Sequence, residues 1–163
     1  MAITYEPVAT TTTSSSVTNV EFTSITGSYT DLVLVSNIIG SGTGYPSIRF
    51  NGDTGTNYNI LQMYGNGTTA GSDRANNYSS IVIPFIGRYA TAAGYMDIVN
   101  IMDYSNTTIY KTVIGRSGRA ANGTDATVGM WRNTAAITTI RINAIDANFA
   151  SGSTFTIYGI KAE

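Results

Sequence analysis

Thr138-Thr139-Ile140-Arg141-Ile142-Asn143-Ala144-Ile145 is the stretch that sets the fold class. Its apolar residues recur at every second position, and in an extended strand successive side chains point to opposite faces. Ile140, Ile142 and Ala144 therefore share a buried face, while Thr139, Arg141 and Asn143 point to solvent. Outward from this octapeptide, short runs rich in Ile, Val, Thr and Tyr recur between Gly, Asn and Ser clusters, and helical periodicity is hard to find. Strands are expected at residues 3–8, 16–23, 31–38, 47–51, 58–64, 79–86, 95–103, 107–116, 126–132, 138–145 and 154–161. Such a rhythm predicts an all-β protein, an antiparallel β-sandwich of about 8–11 short strands forming one domain over residues 1–163.

Turn chemistry supports these divisions. Asn51-Gly52, Asn66-Gly67 and Asn122-Gly123 each offer the left-handed backbone geometry that tight turns between strands use. Residues 9–16 form a Thr/Ser-rich tract, read as a polar connection between the first two strands, and residues 87–94 as a long loop or a short helical turn. Two strands do not alternate: Leu32 and Leu34 oppose Val33 and Val35, and Ile81, Ile83 and Phe85 oppose Val82, Pro84 and Ile86. Both faces of these strands need cover, either from loops at the rim of the sandwich or from another subunit. The core is expected to contain Leu32, Leu34, Ile140, Ile142, Phe155 and Ile157.

Composition narrows the function. The 163-residue chain has a net charge of -1, and only 12% of it is charged, about half the share usual for soluble domains. Lys111 and Lys161 are the only lysines among nine basic residues, too few to hold a phosphate backbone, so no nucleic-acid partner is expected. The absence of His and Cys removes imidazole acid–base chemistry, Ser-His and Cys-His nucleophiles, thiolate or imidazole metal sites and disulfides. Residues 1–15 carry neither a basic nor an apolar leader region, so no signal peptide is expected, and no apolar run approaches the length of a membrane-spanning helix.

Candidate chemistry is sparse. Asp97 and Asp103 are the best carboxylate pair, but six residues apart on one strand they would be separated by about 20 Å, too far for either glycosidase geometry. Most carboxylates are expected to be solvated or to cap turns. The stretch Asn51-Gly52-Asp53-Thr54-Gly55-Thr56-Asn57 spaces oxygen donors as a hard cation would like, yet lacks the EF-hand order, and a Gly-bearing turn is the favoured reading. Gly40-Ser41-Gly42-Thr43-Gly44 and Gly65-Asn66-Gly67 are loops without a phosphate-binding ending. Tyr64, Tyr78, Tyr89 and Trp131 are candidate platforms for a glycan; the alternative for such rings is packing on strands or lining an oligomer interface. No catalytic residue, cofactor or metal site is expected.

Four stretches resemble a family of small virion structural proteins of tailed bacteriophages. They are Tyr29-Thr30-Asp31-Leu32-Val33-Leu34-Val35, Arg49-Phe50-Asn51-Gly52-Asp53-Thr54-Gly55-Thr56-Asn57-Tyr58, Asn133-Thr134-Ala135-Ala136-Ile137-Thr138, and residues 149–161, which end in Tyr158-Gly159-Ile160-Lys161. The resemblance implies a jelly-roll-like sandwich and a non-enzymatic role in the virion. The leading expectation is a capsid decoration or cement protein that binds the major capsid protein or other virion proteins and stabilises the assembled shell. The alternative is a tail fibre or adhesin module that recognises host surface glycans. A homo-oligomer is expected, with the resemblance favouring a trimer, and Val33, Val35, Tyr95 and Trp131 are the residues expected at a subunit or capsid contact.

Overall fold

The computed structural model describes residues 5–92 and 94–161. In chain order the strands are β1 (Tyr5–Thr12), β2 (Asn19–Phe22), β3 (Asp31–Ile38), β4 (Tyr45–Phe50), β5 (Tyr58–Gly65), β6 (Ala70–Tyr78), β7 (Ile81–Val82), β8 (Tyr95–Met102), β9 (Lys111–Arg119), β10 (Gly123–Trp131), β11 (Ile140–Ile145) and β12 (Thr154–Ile160). They form an eight-stranded sheet, β1-β12-β3-β8-β9-β10-β5-β6, and a four-stranded sheet, β2-β11-β4-β7. All pairings are antiparallel, and the sheets pack as a sandwich.

The strands β1-β12-β3-β8 opposite β2-β11-β4-β7 follow the order of a jelly roll, in which the first two strands pair with the last two and the chain winds inward from both ends. Two excursions extend this wrap. β5 and β6 are inserted between β4 and β7, and β9 and β10 between β8 and β11. The excursions join through β10 and β5, from Thr124 opposite Gly65 to Trp131 opposite Tyr58. The larger sheet thus gains four strands that the smaller sheet lacks.

The expected core residues Leu32, Leu34, Ile140, Ile142, Phe155 and Ile157 are all at most 1% exposed. Around them Phe149 and Phe155 pack with ring centroids 5.0 Å apart, and Tyr89 lies edge-on to Phe149 at 5.7 Å. At the other end Phe50, Tyr58 and Trp131 form a second aromatic group.

Several expectations are corrected. β6 is an additional strand: Ala-Gly-Ser-Asp-Arg-Ala-Asn-Asn-Tyr has no apolar alternation and is held by its ladder to β5 along one edge. Residues 79–86 do not form a full strand; pairing stops after Val82, and Pro84 cannot donate to a ladder. The Thr/Ser tract divides, since β1 continues through Thr12 and only residues 13–16 serve as the start of a connection. β9 begins at Lys111 because Asn106 Oδ1 accepts the backbone N–H groups of Thr108 at 2.7 Å and Ile109 at 3.3 Å, which curls the preceding residues into a turn.

Candidate interaction face

Two of the four expected contact residues prove to be core. Tyr95 is 0% and Trp131 1% exposed, because strand alternation puts Tyr95 on the inward face with Val99 and Ile101 and aims Trp131 at Phe50. The Trp131 indole N–H donates to Asp53 Oδ2 at 2.7 Å, so the ring is anchored as well as buried. Val33 and Val35 do lie on the outward face of the larger sheet. Val33, however, is covered to 4% exposure between Tyr158 and Asn100 in register, and Val35 is half-buried, so neither presents a free contact.

The motifs carrying the resemblance are architectural. Asn51, with φ of 52°, accepts the backbone N–H groups of Thr138 at 2.8 Å and Thr139 at 3.0 Å, and its Nδ2 donates to the Ala136 carbonyl at 2.8 Å. One turn residue thereby clamps the 49–58 stretch to the 133–138 stretch. Asp53 accepts from Gly55 N, Asn57 Nδ2 and Trp131 Nε1, so its carboxylate binds the protein's own donors, as the turn reading expects. The other two stretches meet as β3 and β12, and a Cβ at Gly159 would strike the Tyr29 ring. Replacing Asn51 with Ala removes the clamp and places Ala at positive φ; a stability loss of about 2–3 kcal/mol is expected, readable by urea denaturation.

The glycan platform is not assembled. Tyr89 and Trp131 are buried. Tyr78 is exposed beside Tyr58, whereas Tyr64 stacks on Phe85 at the opposite end of β5, with centroids 4.5 Å apart. Nor do the carboxylates pair: Asp97 is buried on the inward face and Asp103 exposed at the end of β8. Among the described residues, no group of three or more His, Cys, Asp or Glu side chains gathers as a metal site would.

The larger sheet instead presents an apolar outer surface. One row across it reads Tyr158, Val33, Asn100, Ile114, Val128, Leu61 and Arg74; the next reads Thr156, Val35, Ile98, Arg116, Ala126, Met63 and Ser72. Ile114, Val128, Leu61 and Met63 are 45%, 48%, 51% and 64% exposed, and Met96, Met102 and Met130 extend the patch. Four of the chain's five methionines therefore lie on this face; their unbranched, polarisable side chains adapt readily to a partner. The outward rows of the smaller sheet are polar by contrast, with Glu21, Arg141 and Arg49 in register. Sequence alternation missed the face because β10 is inverted: Asp125, Thr127 and Gly129 point inward, Ala126, Val128 and Met130 outward. Gly129 supplied the available signal, since a Cβ there would lie 2.7 Å from Ile81 Cγ2, a contact that only glycine permits.

At one end the face dips into an open concavity of about 620 Å³. It follows the row Met96, Gly118, Thr124 and Gly65, in which two positions carry no side chain. Gly118 is confined to glycine, as a Cβ would come within 2.9 Å of the Gly123 carbonyl oxygen. Ile98 and Arg116 line one side, and the 65–67 turn and the Arg119–Gly123 hairpin raise the rim.

Behind this region the inward face carries a polar row, Ser36, Asp97, Ser117 and Asp125. Asp125 accepts the backbone N–H groups of Phe85, Ile86 and Gly87 at 2.8, 3.0 and 2.6 Å, fixing the loop after β7. Burial pushes the Asp97 carboxyl up from 3.8 to about 7, and its Oδ1 is buried without a hydrogen-bond partner. Asp125 thus caps a turn as expected, although buried, whereas Asp97 is neither solvated nor turn-capping.

An all-β sandwich with a jelly-roll wrap and one apolar outer sheet face defines the class of the protein. No protein-family model matches the chain, and no curated protein matches it in sequence.

Proposed function

We propose that the protein is a structural component of a bacteriophage virion, a decoration protein that seats the outer face of its larger sheet on the assembled capsid. The observation that carries this reading is the exposed apolar patch centred on Ile114, Val128, Leu61 and Met63. Contiguous apolar surface of this kind on a folded domain favours association, and its few charges spare an interface the cost of desolvating unpaired ions. The jelly-roll wrap suits the role, being a fold that virion components share with lectins. The family resemblance supplies the virion setting and favours a trimer.

The test is binding of purified protein to capsids that lack it, followed by sedimentation, with Ile114→Asp and Val128→Asp as variants. Both side chains are nearly half exposed, so the variants are expected to fold. Wild-type protein should bind assembled shells, not free capsid subunits, and each variant should weaken binding at least about tenfold by placing a charge in an apolar contact. Variants that bind like wild type would remove the face from the contact, and a protein present in a few copies at the tail would overturn the decoration reading. Release of reducing ends from host polysaccharide, abolished by one Asp→Asn change, would overturn the non-enzymatic role.

A further inference from the structure

We infer that the concavity at the β9–β10 end of this face is a receptor for an acidic, apolar peptide segment of a partner protein, with Arg116 and Arg119 holding its carboxylate. The inference deepens the proposed reading and rests on that face meeting another protein. Charge complementarity carries it. Among the described residues Arg116 is exposed and in no ion pair, Arg119 is half-buried with its Nε buried and without a hydrogen-bond partner, and no Asp or Glu lines the concavity. Two arginines therefore line one depression in a protein whose overall charge is negative.

Apolar contact and shape complete the match. Met96 and Ile98 offer an apolar wall beside the arginines, and Gly118 and Gly65 leave the floor bare, so an extended chain can approach the sheet closely. Guanidinium groups bind carboxylates through paired N–H donors, and flanking aliphatic groups would cover the Met96 side chain. A nucleic-acid backbone fits less well, because the cations do not extend along a track beyond this depression.

The experiment titrates the intact isolated protein with acetyl-Leu-Glu-Leu-Glu-Leu-amide and with its Gln counterpart, following backbone amide resonances by NMR. The Glu peptide should shift Gly118, Gly123 and Thr124 and bind about tenfold or more tightly than the Gln peptide, as expected for charge-assisted hydrogen bonds. Arg116→Gln and Arg119→Gln should each reduce this discrimination, and Met96→Asp, at a half-exposed side chain, should weaken binding of the Glu peptide without unfolding the protein. Equal binding of the two peptides, shifts confined to another surface, or equal response to hexanoate or inorganic phosphate would overturn the inference. Peptide failure with intact capsid binding would overturn the receptor alone, whereas loss of capsid binding with intact peptide recognition would overturn the decoration reading alone.

Discussion

Replacing Asp97 with Asn is expected to raise the unfolding free energy at pH 8 by up to about 4 kcal/mol and to flatten its dependence on pH between about 4 and 7. Asp97 lies on the inward face of β8, beside Ser36 and Ser117 in register and near Tyr95 and Asp125 on the same face. Burial raises its carboxyl from 3.8 to about 7. Well below pH 3.8 the group is protonated in both folded and unfolded chains and exerts no pH-linked penalty. As pH rises toward 7 the unfolded chain releases the proton while the folded chain keeps it, so stability falls; above about 7 the folded protein must hold a buried carboxylate. Asparagine is neutral throughout. Chemical denaturation of both proteins from pH 4 to 8 tests this, and an unchanged slope would show that Asp97 is already ionised in the native state.

Asp53 acts in the opposite sense. Burial pushes its carboxyl up, but the Trp131 indole N–H, the Asn57 amide and the Gly55 N–H together hold it below 3.8. Its contribution is present at neutral pH and is lost as pH falls through that lowered value. These two carboxyl groups together therefore favour the folded state most near pH 4, above the lowered Asp53 value and before the Asp97 penalty develops.

Trp131→Ala should cost about 3–5 kcal/mol, the usual loss for deleting a buried large aromatic ring. The indole packs with centroids 5.6 Å from Phe50 and 6.4 Å from Tyr58, and deletion also takes a donor from the Asp53 carboxylate. Trp131→Phe separates these effects: it keeps much of the ring packing and loses the N–H donor, with an expected cost of about 1–3 kcal/mol. A thermal midpoint unchanged in Trp131→Ala would place the ring outside the core and restore it as a contact residue.

What the sequence made legible follows the distribution of apolar side chains. The central strands, typified by Leu32, Leu34, Ile140, Ile142, Phe155 and Ile157, combine alternation with full burial, so their faces could be read directly. Edge strand β6 could not, since its stability comes from backbone pairing to β5 rather than from an apolar face. The candidate site was hidden for a related reason. Val33 and Val35 did mark an outward apolar surface, but its accessible part lies further along the sheet, on strands whose orientation depends on long-range contacts such as Ile81 against Gly129. Trp131 and Tyr95 misled because an aromatic ring has the same identity in a core as at an interface, and only the register decides between them.

The two inserted excursions, β5–β6 and β9–β10, come from distant points in the chain yet share a seam from Trp131 and Tyr58 at their root to Thr124 and Gly65 at their tips. Neither can be removed without leaving the other an unpaired strand edge, so they constitute one composite wing assembled from two genetic segments. The wing's outer border is the polar strand containing Asp73 and Arg74, which discourages end-to-end strand addition and directs association through the broad side of the sheet. Because the eight-strand jelly-roll order is complete without the wing, its broad side can diversify while the underlying wrap is retained.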